Sequence, residues 1–223
     1  MKKILVIGSL NMDLVIDVDS IPKAGETILG DKLTLIPGGK GANQAYAMGK
    51  LNGKVNMIGA VGNDTNKEQL LNNLSSVNVN TSGVEVIENT DTGIAVISVD
   101  RQGENCITVI PGANNLVTKE SIDRNINLIE ESDIIVMQLE IPIDTVCYIT
   151  KIAKEKNKLI VLDPAPAKAN LPIDLYKNID IIKPNEIELE IISGMKIENE
   201  QDVIKAANII LDKGVKTVIA TLR

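Results

Sequence analysis

The sequence predicts an α/β fold, with a Rossmann-like, parallel-dominated sheet flanked by helices and a small β-sheet lid. Short apolar runs alternate with longer amphipathic segments from end to end, which is typical of a parallel sheet with helices on both faces. In one region β-prone runs follow each other without a helix, which indicates a second sheet. The 223 residues, 44% hydrophobic and 24% charged, are enough to bury a substantial core.

The apolar runs have the length of buried strands and the segments between them have helical periodicity. The predicted strands are Ile4–Ile7, Val55–Ile58, Ile134–Met137, Leu159–Leu162, Ile179–Ile182 and Val218–Ala220. The predicted helices are Ala42–Leu51, Asn66–Leu74, Lys119–Ile129, Val146–Lys156 and Asp202–Lys213.

The second sheet is predicted from four β-prone runs. Thr92–Val99 and Asn105–Ile110 flank the polar turn Asp100–Gly103 and so indicate a hairpin. Leu14–Val18 and Leu33–Ile36 have no helix between them. We therefore expect one domain over residues 1–223, with lid strands within residues 12–18, 32–37 and 92–110.

Composition excludes several classes of function. The net charge of −7, without a basic run, disfavours binding to nucleic acid or to an anionic membrane. No apolar stretch approaches the length of a membrane span. Because histidine is absent, acid–base chemistry falls to a carboxylate or a lysine. Cys106 and Cys147 match no metal-ligand spacing, so we expect buried thiols in a cytoplasmic protein.

Two polar segments follow the first predicted strand. Asn11 and Asp13 are two residues apart, so an extended chain presents an amide and a carboxylate to one spot, which suits a polyol. A polar turn is the alternative. The glycine-rich run Gly38–Gly41 leads into a helix, with Lys40 and Asn43 on one face of its first turn. A simple glycine-rich connection is the alternative there, and the spacing fits neither a P-loop nor a dinucleotide fingerprint.

Together these segments resemble the N-terminal signature of the ribokinase family of carbohydrate kinases (PfkB type). The resemblance is carried by Asn11-Met12-Asp13, by the run from Gly38 to Ala45 and by Gly62, where the signature ends. Asn52 departs from the usual Gly or Ser. The resemblance assigns a sugar-binding set consisting of Asn11, Met12, Asp13, Gly39, Lys40, Gly41, Ala42, Asn43 and Glu140.

The resemblance also assigns a phosphate region near the C-terminus. Asn185 and Glu188 match the family's N-x-x-E motif, which implies that Asn185 and Thr221 serve ATP phosphates and that Glu188 reaches Mg²⁺ through water. Without the family, Glu140 reads as a solvated loop acid and Glu188 as part of an acidic helix face. Asp163-Pro164-Ala165-Pro166, after another strand, is expected to shape the cleft wall.

The implied reaction is transfer of a phosphoryl group from ATP to the 5-hydroxyl of D-ribose, with Mg²⁺ and a monovalent cation such as K⁺, in a homodimer formed through the lid. The family's catalytic Asp lies in a G-A-G-D motif that the 223 residues do not contain. We therefore expect this base beyond Arg223, assign no catalytic residue within the chain, and expect the chain alone to be inactive. A kinase for another sugar or a nucleoside and a non-catalytic sugar-binding or assembly fragment remain the alternatives.

Overall fold

The structure, a computed structural model, describes residues 1–222 as strands and helices in alternation. The strands are β1 Lys3–Ile7, β2 Asn11–Val18, β3 Gly30–Gly38, β4 Lys54–Gly62, β5 Asn80–Ile87, β6 Gly93–Val99, β7 Asn105–Ile110, β8 Ile134–Met137, β9 Leu159–Leu162, β10 Ile181–Ile182 and β11 Thr217–Val218. The helices are α1 Lys40–Lys50, α2 Thr65–Ser75, α3 Lys119–Arg124, α4 Ile126–Glu131, α5 Ile143–Glu155, α6 Ile173–Asn178, α7 Glu186–Ser193 and α8 Glu200–Asp212, with a 3₁₀ turn at Gly112–Leu116.

Seven strands form the main sheet, in the order β11-β10-β9-β8-β1-β4-β5, and their pairings are parallel. From β1 the chain first builds outward through β4 and β5, and later builds the other side from β8 onward. The strand order therefore reverses between β1 and β8. In open α/β sheets such a switch point, at the carboxyl ends of the strands, is where ligands bind.

The core lies on both faces of the main sheet. Leu5 and Ile7 belong to one cluster of buried side chains, whereas Val6 between them belongs to the other. Because successive strand residues point to opposite faces, an uninterrupted apolar strand needs cover on both sides. The helices supply that cover.

The second sheet has four strands in the order β3-β2-β6-β7. β2 pairs antiparallel with β3 and parallel with β6, and β6 pairs antiparallel with β7. The register sets Asp13 beside Ala95, and Ala95 beside Val109, so these three side chains share one face of the sheet. The predicted fold class, a parallel-dominated sheet with a separate small sheet, is confirmed.

Some elements differ from the sequence-based expectation. Strand β5 was not predicted, because it begins with the polar residues Asn80, Thr81 and Ser82. The helix expected over Lys119–Ile129 divides at Asn125, which ends α3 and precedes α4. The short helix α6 was not predicted, and α7 was anticipated only in the alternative reading of Glu188, because neither is long enough to establish a helical period.

The cysteine expectation is wrong for Cys106, which is exposed on β7. Cys147 is half-buried in α5, and burial raises the pKa of its thiol. Among residues 1–222, none of the helices has the length and apolarity that a membrane span requires.

Candidate sugar-binding site

A cavity of about 550 Å³ lies between the second sheet and the switch point of the main sheet. Its polar floor is formed by Asn11, Asp13, Gly39, Lys40, Asn43 and Glu140. Its apolar wall comes from the second sheet, through Ala95, Ile97, Ile107 and Val109. A few convergent polar groups facing an apolar wall are typical of small-molecule sites.

The glycine turn brings the start of α1 against the end of β1. Gly39 has φ +89°, and a Cβ there would lie 2.7 Å from the backbone nitrogen of Asn11. A Cβ on Gly41 would lie 2.6 Å from the backbone nitrogen of Ser9. The Ala42 N–H donates to the Ser9 carbonyl at 2.9 Å. Only residues without a side chain allow this approach, which directs Lys40 and Asn43 into the cavity.

Ser9 and the first turn of α1 hold the Glu140 carboxylate. The Ser9 hydroxyl donates to Glu140 Oε2, and the Lys40 N–H donates to the same oxygen at 3.0 Å. The Gly41 N–H in turn donates to Ser9 Oγ at 3.3 Å. Ser9 is fully buried, so it acts from behind the floor of the cavity. These donors engage Oε2 of a carboxylate that lines the cavity.

Asp13 is the second carboxylate of the floor. Burial, together with the negative charge of Glu140, raises the pKa of Asp13 to about 6, while the positive charge of Lys40 opposes that rise. Asp13 therefore ionises just below neutral pH, at a much higher pH than an ordinary Asp. In its ionised form Asp13 adds a hydrogen-bond-accepting carboxylate to a floor that also holds Glu140 and Lys40.

Asn114, from the 3₁₀ turn, completes the floor beneath Asn11. The Leu10 N–H donates to Asn114 Oδ1 at 2.9 Å, and Asn114 Nδ2 donates to the Leu10 carbonyl at 3.1 Å and to Asn11 Oδ1 at 2.8 Å. Asn114 is 1% exposed and Asn11 is 2% exposed. Sequence reasoning missed both Ser9 and Asn114, since nothing in the chain marks contacts between residues about a hundred positions apart.

A row of side chains runs from α1 toward the later strands. Gln138 Nε2 donates to Gln44 Oε1 at 2.7 Å, and Gln44 Nε2 donates to Asp163 Oδ2 at 2.8 Å. Lys183 Nζ lies 3.8 Å from the same Asp163 oxygen. Burial raises the pKa of Asp163, and the Lys183 charge opposes that rise. Asp163 thus braces α1, while Pro166 of the same segment lines the cavity.

The predicted phosphate residues lie at the carboxyl ends of β10 and β11. Asn185 and Thr221 form an isolated parallel bridge and line a small pocket of about 100 Å³. The Asn185 side chain accepts from the Glu188 N–H at 2.8 Å, and Glu188 Oε2 accepts from the Asn185 N–H at 2.8 Å. Both side chains therefore form the capping box of α7. The negative charge of Glu188 also raises the pKa of Asp163.

Three of the residues assigned by resemblance do not line the cavity. Met12 is fully buried, because strand alternation turns its side chain away from the face shared with Asp13. Gly41 and Ala42 are buried where α1 meets β1. Lys168, which was not predicted, lies at the rim of the cavity.

The sequence matches the pfkB family of carbohydrate kinases over residues 1–222. A ribokinase of Haemophilus influenzae is 38% identical over 221 residues, which are 99% of this chain and 72% of that protein. A deoxyribokinase of Salmonella typhi is 38% identical over 219 residues, 98% of this chain and 72% of that protein. The structure of Arabidopsis thaliana ribokinase complexed with ribose and ATP has a TM-score of 0.90 at 30% identity, covering 99% of this chain and 72% of that one. This chain therefore belongs to the pfkB family of carbohydrate kinases.

Proposed function

We propose that this protein serves the ATP-dependent phosphorylation of D-ribose at its 5-hydroxyl, which yields ribose 5-phosphate. The observation that carries the proposal is the polar floor of the cavity, where two carboxylates, one ammonium group and two asparagines converge. Carboxylates accept from sugar hydroxyls, whereas amide and ammonium groups donate to them. Relatives named ribokinase, aligned over nearly all of this chain, support ribose as the sugar.

In this proposal Asn11, Asp13, Gly39, Lys40, Asn43 and Glu140 hold the sugar by hydrogen bonds. Met12, Gly41 and Ala42 contribute by shaping the backbone behind that contact surface. The second sheet acts as a lid, which excludes water that would otherwise compete with the sugar as phosphoryl acceptor. The apolar wall of the cavity supports this role, because it covers the ligand without offering it a competing polar partner.

The phosphate end of the proposed site is the edge where β10 and β11 finish. Asn185 and Thr221 would hold ATP phosphate oxygens there, and Glu188 would hold hydrated Mg²⁺ through water. The residues fit this cation, because Mg²⁺ keeps most of its waters and binds one or two carboxylates. The Asn185 N–H donates to Glu188 Oε2 and so fixes the position of the Glu188 carboxylate. When bound, the cation neutralises charge on the phosphates. The proposal includes K⁺ for the complete reaction and assigns it to no residue of this chain.

We assign the catalytic base to no residue of the 223. Asp13 and Glu140, the carboxylates of the floor, are committed to the sugar in this proposal, and the G-A-G-D motif of the family is absent from the sequence. The chain by itself should therefore bind ribose with negligible turnover. We further propose a cytoplasmic protein that dimerises through the second sheet.

The test is to titrate the chain calorimetrically with D-ribose, 2-deoxy-D-ribose and adenosine, and to follow ADP release with MgATP present. We expect saturable binding that is tightest for D-ribose, and no ADP release above the blank. Tighter binding of adenosine would contradict the sugar assignment. Ribose phosphorylation at a normal rate would contradict the assignment of the base.

A second candidate substrate is 2-deoxy-D-ribose, because relatives named deoxyribokinase are as similar to this chain as those named ribokinase, at 38% identity. The same titration separates the two sugars. Equal affinity for both would favour a kinase that does not read the 2-hydroxyl group.

A further inference from the structure

The amide of Asn114 has one possible orientation. The Leu10 backbone N–H can only donate, so the Asn114 atom 2.9 Å from it must be the oxygen. The nitrogen of the same amide then faces the Leu10 carbonyl at 3.1 Å, which can only accept. The two backbone groups of one residue therefore settle a choice that for most amides depends on the whole network.

The orientation of the Asn114 amide determines the orientation of the Asn11 amide. Asn114 Nδ2 has two hydrogens, of which one goes to the Leu10 carbonyl and the other to Asn11 at 2.8 Å. The Asn11 atom that meets Asn114 must accept, so it is Oδ1. Asn11 Nδ2 is then left for the cavity that Asn11 lines, and it makes no hydrogen bond within residues 1–222.

Close packing holds the side chains of Asn11 and Asn114 in contact with each other. A Cβ on Gly93 would lie 2.2 Å from Asn11 Oδ1 and 2.3 Å from Asn114 Nδ2, so the backbone of β6 presses directly against the contact. Both asparagines are almost completely buried. Loss of either partner would leave a polar atom of this buried contact unpaired, which costs stability.

We infer that Asn114 is a positioning residue that makes Asn11 a hydrogen-bond donor to the sugar. The inference rests on the proposed function and deepens it, because it assigns a direction to one contact of the floor. Asn11 donates, whereas Asp13 and Glu140 accept. The ligand oxygen opposite Asn11 must therefore offer a lone pair, which the oxygen of a hydroxyl group does.

The variant that tests this inference is Asn114→Asp. Its carboxylate still accepts from Leu10 but cannot donate to Asn11, so the Asn11 amide turns over and presents its oxygen to the cavity. We expect D-ribose affinity to fall about tenfold or more. Asn125→Asp is the matched control, because it adds the same charge and removes an amide that donates to the Ser121 carbonyl at 3.0 Å, at a position that does not line the cavity, and affinity should change less than about twofold. A folded Asn114→Asp chain with unchanged ribose affinity would overturn the inference.

A second measurement needs neither the variant nor the sugar. Nuclear magnetic resonance of the unaltered chain should show a coupling through the hydrogen bond from Asn114 Nδ2 to the side-chain carbonyl carbon of Asn11. A coupling in the reverse direction, from Asn11 Nδ2 to Asn114, would overturn the inference. This result stands even if Asn114→Asp does not fold. If the unaltered chain bound no ribose, the proposed function would fail while the coupling still decided the orientation.

Discussion

Asp13 and Glu140 share the floor of one cavity, and the cost of placing two carboxylates there is visible at Asp13. Its pKa is raised to about 6 by burial and by the Glu140 charge. An unfolded Asp loses its proton near pH 3.9, so between that pH and about pH 6 the folded chain binds more protons than the unfolded chain. The contribution of Asp13 to the free energy of unfolding therefore falls as pH rises from about 3.9 to about 6.

The first prediction follows from this loss of stability on ionisation of Asp13. Asp13→Asn removes the ionisation, so the variant should melt at a higher temperature than the unaltered chain at about pH 7.5, and the difference should shrink toward about pH 4. Thermal unfolding followed by circular dichroism at both pH values measures it. A difference that does not depend on pH would show that Asp13 titrates normally.

The hydroxyl of Ser9 provides the second prediction. Ser9→Ala removes one of the two donors to Glu140 Oε2, so ribose affinity should fall about tenfold and stability by about 1–2 kcal/mol. Ser132→Ala is the control, because Ser132 is also buried and donates to the Leu128 carbonyl at 2.8 Å, before β8 begins. It should lose similar stability and keep its ribose affinity. Equal losses of affinity in both variants would refute a specific role for Ser9.

At the scale of elements, the turn from β3 into α1 determines the geometry of the floor. Gly39 combines a positive φ with a close approach to Asn11. Gly103, in the turn between β6 and β7, has φ +83°, but a Cβ added there would meet no atom within 4 Å. Substitution at these two glycines therefore distinguishes the cost of a positive φ from the cost of a steric clash.

Comparison of Gly39→Ala with Gly103→Ala gives the third prediction. Gly103→Ala should cost about 1–2 kcal/mol through strain alone. Gly39→Ala should cost more than about 3 kcal/mol, because the new methyl group also clashes with the backbone of Leu10 and Asn11. Urea unfolding of both variants measures the free energies, and equal losses would mean that the contact with Asn11 is unimportant.

Local sequence patterns predicted the strands and helices that have a clear hydrophobic pattern. They did not predict features that depend on contacts between distant parts of the chain. The runs Ile4–Ile7 and Ile134–Met137 could be identified as strands because each is continuously apolar. The glycine run before α1 indicated a turn because glycine readily adopts a positive φ, as Gly39 does. The contact of Asn11 with Asn114 spans 103 residues and could not be predicted, because its direction depends on the Leu10 backbone in the folded chain.

On the scale of the whole molecule, the second sheet leaves apolar side chains in solvent at its edges. Leu33, Leu35 and Ile36 on β3 are 53%, 47% and 45% exposed, and Ile110 on β7 is 53% exposed. Clustered exposure of this kind marks an interaction surface more often than a solvated one. It supports the proposal that two copies associate through this sheet.

The fourth prediction concerns that association. The double variant Leu35→Lys, Ile36→Lys places a charge on each face of β3, so it should sediment as a monomer of about 24.0 kDa where the unaltered chain sediments as a dimer. Ile204→Lys is the control, since Ile204 is 62% exposed on α8, outside the second sheet. That variant should remain dimeric. An unaltered chain that is monomeric would refute the proposed dimer.

The central claim is that the cavity between the two sheets binds D-ribose, and calorimetric titration of Asn43→Ala against Asn72→Ala tests it most directly. Both asparagines are exposed and helical, but only Asn43 lines the cavity. We predict single-site ribose binding to the unaltered chain, a loss of affinity of about tenfold in Asn43→Ala, and no change in Asn72→Ala. Ribose binding that is equally strong in all three proteins, or absent from the unaltered chain, would contradict the claim.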